Sequence, residues 1–247
     1  MKKFAYLSII FLISCSPKIW HKTAISSSNT RINESASSVD SSLVRLILPY
    51  RVEQENKMNS KVGENESKLE KGKPESTLTN WLSDIVEESV KLKTADNIDG
   101  TLMNYGGIRS NYLAKGDVTL GNVFELMPFD NLVVVLRITG TQLSVFCDHV
   151  AVSGGWPVSK SVRFTIKDKK ANNITIKGEP LVADKIYRIC VPDYIANGGD
   201  DCDFLKSIPQ TTYKYLLRDA ILDGIKRTTS KGDKITSALD GRLNISN

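Results

Sequence analysis

Apolar positions at helical spacing predict four helices in this chain. They recur three or four residues apart over residues 78–91 and again over residues 120–126, where a proline two positions on ends the pattern. Thr139 is a suitable N-cap for the third helix, whose apolar period follows directly. The fourth helix is predicted over residues 213–225, with Tyr213 at the start of its apolar face.

Shorter runs between these helices predict strands. Residues 101–104 and 132–136 are predicted to be buried strands, the second because it is β-branched and too short for a helix. Three stretches over residues 162–191 alternate apolar with polar positions between Asn, Gly and Pro, which predicts antiparallel strands. Helices segregated from a run of strands are typical of an α+β fold, with a mixed or antiparallel sheet and flanking helices.

The first 14 residues have the pattern of an export signal. Lys2 and Lys3 precede an apolar stretch that is too short to cross a bilayer. Cys15 follows a small residue, as in a bacterial lipobox, so we expect it to carry lipid; a secretory signal with a chance cysteine is the alternative. Both predict export, and the lipobox predicts anchoring on the periplasmic or cell-surface side of a bacterial membrane. Residues 15–40 then form a polar tether, followed by one domain over residues 41–247.

Charge and cysteine content narrow the function only slightly. The net charge of +5 is not concentrated in a Lys/Arg block, so nucleic-acid binding is not indicated. The charged run over residues 53–73 is typical of a solvated helix face or loop. Cys147, Cys190 and Cys202 have no C-x-x-C spacing, which favours small buried residues and leaves a Cys190–Cys202 bridge open.

The residues that independent catalysis needs are absent from the sequence pattern. A two-metal hydrolytic site needs several His and Asp ligands, and the chain contains 2 histidines, His21 in the tether and His149 on a predicted helix. Adjacent helix residues point apart, so Asp148 beside His149 is no catalytic pair, and a packing or surface role is expected for His149. Neither a serine nucleophile elbow nor a glycine-rich phosphate cradle occurs. The prediction is therefore no catalytic residue and no metal site.

Two glycine turns, NYGGIR at residues 104–109 and YIANGGD at residues 194–200, present opposite charges. Glycine permits positive φ and close approach to a ligand, so these turns project Arg109 and Asp200. A guanidinium suits phosphate or ribose oxygens, and a carboxylate suits paired sugar hydroxyls. Phe129 and Tyr194 supply two rings for a flat base. This is the inventory of a nucleoside pocket. Each part also has a structural alternative: a core Phe129, for example, or a salt bridge between Arg109 and Asp200.

The two turns, the run GDVTLGNVFELMPFDNLVVVLRITGTQL, the extended VPDYIANGGDD and the late DGRL resemble, in order and spacing, the C-terminal domain of 5′-nucleotidases. The resemblance covers residues 43–243. It implies a substrate-recognition domain for a nucleoside 5′-monophosphate or nucleoside, without nucleic acid. The implied binding residues are the stacking rings Phe129 and Tyr194, the nucleotide contacts Asn104 and Arg109 with Gly106 and Gly107 in their turn, and the ribose acceptor Asp200 with Asn197 and Gly198 shaping its loop.

Two departures from the family pattern bear on function. Gly72 stands where the family has a further substrate-binding Arg, with Lys71 and Lys73 as neighbours that lack a bidentate fork. The metallophosphoesterase domain has no counterpart, so no cofactor is expected in this chain and divalent metals are expected only in a partner phosphoesterase chain. The leading hypothesis is the recognition half of a split 5′-nucleotidase. A surface lipoprotein that binds nucleosides without hydrolysis and an interaction module with a decayed pocket are the alternatives.

Overall fold

The computed structural model describes residues 26–29 and 40–246. The chain divides into two units, Met1–Leu48 and Pro49–Asn247. Helix α1, Ser41–Met58, begins in the first, and it was not predicted from the sequence. None of its residues is buried, and its apolar side chains, such as Leu46 at 66% exposure, face solvent. No helix within residues 26–29 and 40–246 has the length and hydrophobicity to traverse a bilayer.

The second unit mixes helices with strands, and all four predicted helices are present, the fourth with a later start than predicted. The helices after α1 are α2 (Thr77–Thr94), α3 (Leu120–Leu126), α4 (Gly140–Val152), α5 (Asp193–Ala196) and α6 (Leu217–Ser230). The strands are β1 (Lys61–Asn65), β2 (Leu69–Glu70), β3 (Gly100–Thr101), β4 (Tyr112–Leu113), β5 (Gly116–Thr119), β6 (Leu132–Thr139), β7 (Val162–Lys167), β8 (Lys170–Ile176), β9 (Glu179–Pro180), β10 (Ile186–Pro192), β11 (Gln210–Leu216) and β12 (Leu243–Ile245). Ser76, Thr119 and Thr139 each close a capping box at the start of α2, α3 and α4.

The central sheet has the strand order β11–β6–β10–β3. Strand β6 runs antiparallel to both neighbours, and β3 runs parallel to β10. Val133 and Val135 of β6 face a core that includes residues of α2 and α6, whereas Val134 and Leu136 face a second core that includes residues of α4. Because β6 is buried on both faces, its sequence is a continuous apolar run rather than an alternating one.

One expectation from the sequence needs correction, and another needs to be made more specific. Tyr213 does not begin the last helix but lies in β11, since the β-prone residues before Leu217 pair with β6 and the helix starts only at Leu217. The antiparallel strands predicted over residues 162–191 are confirmed, but they belong to two different sheets. β7, β8 and β9 pair antiparallel with one another in a second sheet, which also contains β12. Strand β10 belongs to the central sheet instead.

The central sheet brings three loops to one edge. β3 and β10 are parallel neighbours, so the residues that follow them leave at the same end. Strand β6 is antiparallel to β10, with Val133 near its start opposite Pro192 at the end of β10. The loops before β6 and after β3 and β10 therefore meet, and these loops contain both glycine motifs and Phe129.

Candidate functional site

One cavity of about 310 Å³ lies where the three loops meet. Its lining residues are Asn104, Gly106, Gly107, Arg109, Phe129, Asn131, Tyr194 and Asp200. Seven of these eight were singled out from the sequence, and Asn131 was not. The two further predicted residues, Asn197 and Gly198, are not in the lining but belong to the loop that carries Asp200.

In the first glycine motif, glycine is needed because it has no side chain, and its backbone does not adopt a positive φ. Its Tyr105–Gly107 segment is a single 3-10 turn, and neither Gly106 nor Gly107 has a positive φ. A Cβ on Gly107 would lie 2.9 Å from Oδ1 of Asn104, so only glycine leaves room for that side chain. The Arg109 amide donates to Leu126 O at 2.9 Å, which fixes the base of an otherwise exposed Arg109 side chain.

The second motif uses the left-handed backbone that was predicted for it. Gly198 has φ +93° and Asp200 has φ +50°, which turns the Asp200 side chain back toward the first motif. Gly199 serves a different purpose, because a Cβ there would lie 2.4 Å from the Tyr194 ring. The ring therefore lies directly against the backbone of its own loop.

The Asp200 carboxylate joins the two motifs. Asn104, which is 5% exposed, donates from Nδ2 to Oδ2 at 2.8 Å, and the Tyr194 hydroxyl donates to Oδ1 at 3.1 Å. Each oxygen thus has one protein donor and retains acceptor capacity for a ligand. The salt bridge to Arg109 that the sequence left open is replaced by these two neutral donors.

His149 supports the same loop from behind. Its Nε2 donates to Asp200 O at 2.9 Å, and its ring packs against Trp156 and Phe204 at centroid distances of 5.3 Å and 5.7 Å. This agrees with the packing role expected for it. The neighbouring Asp148 turns to the other side and accepts from Lys170 Nζ at 2.9 Å.

The two aromatic rings of the site are not core residues. Phe129 is 44% exposed and Tyr194 is 47% exposed, although the chain has an extensive core for apolar side chains. The Arg109 guanidinium lies 5.9 Å from the centroid of Phe129. Large exposed rings around a concave site are typical of a surface that binds a flat ligand.

Lys71 and Lys73, the neighbours of Gly72, do not line the cavity. Lys71 Nζ donates to Ile108 O at 2.7 Å and lies 4.1 Å from the centroid of Tyr105. Burial lowers the pKa of Lys71, and the nearby charges of Arg109 and Lys73 lower it further. Lys73 Nζ lies 4.7 Å from the centroid of the same Tyr105 ring and donates to Ser153 O. Lys71 therefore extends the positive charge of Arg109, while Lys73 is engaged away from the cavity.

No group of three or more His, Cys, Asp or Glu in the part of the chain that the structure describes is arranged to hold a metal ion. His21 lies outside the described residues, as does the predicted lipidation site Cys15. Cys147, Cys190 and Cys202 are buried free thiols, so the Cys190–Cys202 bridge is not formed. Burial raises the pKa of Cys190 and Cys202 to about 12 and also raises that of Cys147.

Comparison with known proteins identifies the family. The family model described as 5′-nucleotidase, C-terminal domain, matches residues 57–207. The chain belongs to the 5′-nucleotidase C-terminal domain family. Protein UshA of Escherichia coli is 31% identical and a 5′-nucleotidase of Vibrio vulnificus 30% identical, each over 173 residues. Each alignment covers 68% of this chain and 31% of the relative, so the chain spans about a third of the length of these relatives.

Solved structures confirm the α+β fold of this 5′-nucleotidase C-terminal domain. A 5′-nucleotidase precursor from Thermus thermophilus superimposes with a TM-score of 0.69 at 24% identity, covering 86% of this chain and 45% of that one. NAD nucleotidase of Haemophilus influenzae gives a TM-score of 0.65 at 16% identity, covering 84% of this chain and 42% of that one.

Asn131 is the cavity residue of this C-terminal domain that sequence reasoning missed. It lies two positions after Phe129 and directly before β6, and its carbonyl accepts from the Leu217 amide at 2.8 Å. An asparagine before a buried strand has no local signature of binding. In the preceding PFD sequence, only the aromatic ring of Phe129 suggests a binding role. Placing Asn131 in the cavity requires the register of β6 on β10, which the amino-acid pattern does not specify.

Proposed function

We propose that this chain recognises the nucleotide in the hydrolysis of nucleoside 5′-phosphates, together with a separate metallophosphoesterase chain. The observation that carries the proposal is the Asp200 carboxylate, which is held by Asn104 and Tyr194 and lines the same cavity as the exposed rings of Phe129 and Tyr194. Those groups match the parts of a nucleoside one by one. The family membership supports the reaction class.

The base would lie between Phe129 and Tyr194. The rings come from different loops, and each is nearly half exposed. A base inserted between them would pack one of its faces on each ring and cover the exposed apolar surface of both. Stacking of this kind contributes about 1–3 kcal/mol per base and tolerates every base. The Asn131 side chain, which can both donate and accept, is placed to meet the edge of the base.

The ribose would bind at Asp200. Its two oxygens are held at fixed positions by single donors, and a pair of adjacent hydroxyls can donate to both of them. The carboxylate is exposed, so a bound ribose would replace water rather than a protein partner.

The phosphate would lie on the side of Arg109. The Arg109 guanidinium makes one long contact, 3.4 Å from Nη1 to Gly106 O, which leaves most of its donor fork free for an anion. Lys71 adds a second positive charge beside it. In this arrangement the base and ribose would be enclosed, and the phosphate would face outward toward a second protein.

The division of labour between two chains is part of the proposal, and the family that matches is compatible with it. The matched family is a C-terminal domain, and the chain spans 31% of each of the two relatives described above. The described residues do not fit the divalent metals of the hydrolytic step, so the partner would supply them and the water that they activate. This chain would bind and orient the substrate and expose its phosphate. A nucleoside-binding lipoprotein without hydrolysis is the remaining alternative.

Export and anchoring belong to the same proposal. The leader pattern of residues 1–14 and Cys15 support an exported chain that is held on a membrane by lipid. The partner phosphoesterase would then also be exported, because the two chains must meet on the same side of the membrane.

Purification of the tagged chain from envelope fractions of its source tests the proposal. We expect a metal-dependent phosphatase to copurify and to release phosphate from AMP, with chelator abolishing the release. As a matched control, the Asp200→Asn chain should bring down the same phosphatase but support much slower release. A chain that binds AMP yet never carries phosphatase activity would establish the binding lipoprotein instead.

A further inference from the structure

We propose that Arg218 is the positioning residue of the base site: it holds the loop over residues 127–131 so that Phe129 and Asn131 are placed before a nucleotide arrives. Arg218 does not line the cavity, and no sequence motif singles it out. The effect of Arg218 on nucleotide binding rests on the proposed function, whereas its effect on the position of the loop can be measured without ligand.

The Arg218 guanidinium contacts the loop at three points. Nη1 donates to Met127 O at 3.2 Å and to Phe129 O at 3.3 Å, and Nη2 donates to Asp130 Oδ1 at 2.5 Å. The same end of α6 also binds the next loop residue, because the Leu217 amide donates to Asn131 O. The start of α6 thus binds the loop on both sides of the Phe129 ring.

The position of Arg218 is unfavourable for the helix that contains it. It lies in the first turn of α6, where the helix dipole disfavours a cation, and it is 7% exposed although guanidinium burial costs free energy. Its planar face lies 4.0 Å from the centroid of Phe124, and its fork is taken up by the loop. Such a buried cation stabilises a particular loop shape rather than the helix.

The loop needs this support because Phe129 has little of its own. Its ring is 44% exposed, and the Arg109 guanidinium, itself on an exposed side chain, lies 5.9 Å from its centroid. Immobilising a free ring when the ligand binds costs conformational entropy and so lowers the affinity. By fixing the backbone on which the ring stands, Arg218 removes part of that cost in advance.

The first test uses the whole chain without ligand. With 4-fluorophenylalanine incorporated, the ¹⁹F resonance of Phe129 is assigned by its loss in Phe129→Leu. In Arg218→Lys, whose ammonium cannot reach three acceptors, we expect this resonance to move toward the position of the free amino acid. The matched control is Arg242→Lys, another buried arginine, bound to Asp84, Asp240 and Val158 O, which should lower the Tm but leave the resonance in place. An unmoved resonance in Arg218→Lys overturns the proposal.

The second test measures binding in a double-mutant cycle. Arg218→Lys is expected to weaken adenosine binding about tenfold, whereas in a Phe129→Ala background, where only its effect on Asn131 is left, it should weaken binding clearly less. Equal losses in both backgrounds would mean that Arg218 acts only through general stability, against the proposal. If Arg218→Lys is unfolded, the exposed Asp130→Ala should give a smaller shift of the same resonance. If the wild type binds no nucleoside but the resonance still responds, the proposed function fails and the positioning role stands.

Discussion

At the scale of single residues, Tyr194 links the two halves of the proposed site. Its ring lies against Gly199 and its hydroxyl binds Asp200, so the surface for the base and the acceptor for the ribose share one side chain. The resemblance implied a stacking ring at this position, and a tyrosine adds a hydroxyl to that ring. The added hydroxyl has a definite place in this chain, on a carboxylate oxygen that would otherwise be held by the ligand or by water.

Substitutions at Tyr194 should separate these two roles. Tyr194→Ala removes the ring and is expected to weaken adenosine binding about 5- to 150-fold, the equivalent of one stacking contact. Tyr194→Phe keeps the ring and should cost less than about tenfold, because a neutral hydrogen bond contributes roughly 1 kcal/mol. Calorimetric titration of both variants checks the order. A Phe variant as weak as the Ala variant would contradict a stacking role for the ring.

Gly199 provides an independent way to move the same ring. Gly199→Ala introduces a Cβ that would lie 2.4 Å from Tyr194, so the ring must shift and adenosine binding should weaken about tenfold. Gly72→Ala is the matched control, because its Cβ meets Ser76 at an ordinary 3.5 Å. Equal affinities for the two alanine variants, measured by calorimetry, would show that the position of the ring does not matter.

At the scale of elements, the C-terminal DGRL motif ties the second sheet to α2. Arg242, at the entry to β12, is 3% exposed and binds Asp84 of α2 through two parallel contacts of 2.9 Å, and it also binds Asp240. The motif was noticed in the sequence only as part of the family resemblance. Its physical role is a buried cation between two carboxylates, and Arg242→Ala should cost about 3 kcal/mol of unfolding free energy.

The same clamp predicts a pH dependence. Burial acts to raise the pKa of Asp240, but the hydrogen bond and charge of Arg242 outweigh it and hold the pKa below the usual 3.8. The Asp240 carboxylate therefore stabilises the fold fully above its unfolded pKa, and this contribution is lost as the pH falls through the lower folded value. Urea unfolding from about pH 5 to about pH 2 should show a shallower loss of stability in Asp240→Asn than in the wild type. Parallel curves would contradict this assignment.

Local sequence patterns predict the elements that nearby residues determine. They fail where an element depends on pairing with a strand that is distant in the sequence. Helices α2, α3 and α4 have caps and apolar periods in their own sequence, and all three are confirmed. The boundary between β11 and α6 depends on pairing with β6, so Tyr213 was placed in a helix. Asn131 and Arg218 likewise gain their roles from the register of β6 and the placement of α6. Asp200 and Arg109 could be selected in advance because glycine turns mark them.

At the scale of the whole molecule, the export proposed for this chain would favour disulfides, yet its described cysteines are buried free thiols. We expect dithiothreitol to leave the Tm unchanged. A thiol reagent should react with Cys147, Cys190 and Cys202 only after unfolding, because burial keeps these groups protonated and inaccessible. A fall in Tm on reduction would reveal a bridge formed in solution.

The most direct test of nucleotide recognition is calorimetric titration of the purified chain with adenine, adenosine and AMP, alongside Asp200→Asn. We predict one ligand per chain, with affinity increasing from adenine to adenosine to AMP as ribose and phosphate contacts are added. In Asp200→Asn the gain from adenine to adenosine should largely disappear while adenine binding persists. If none of the three ligands binds, the proposal that this cavity recognises a nucleotide is contradicted. Binding that Asp200→Asn and Tyr194→Ala leave unchanged would contradict it as well.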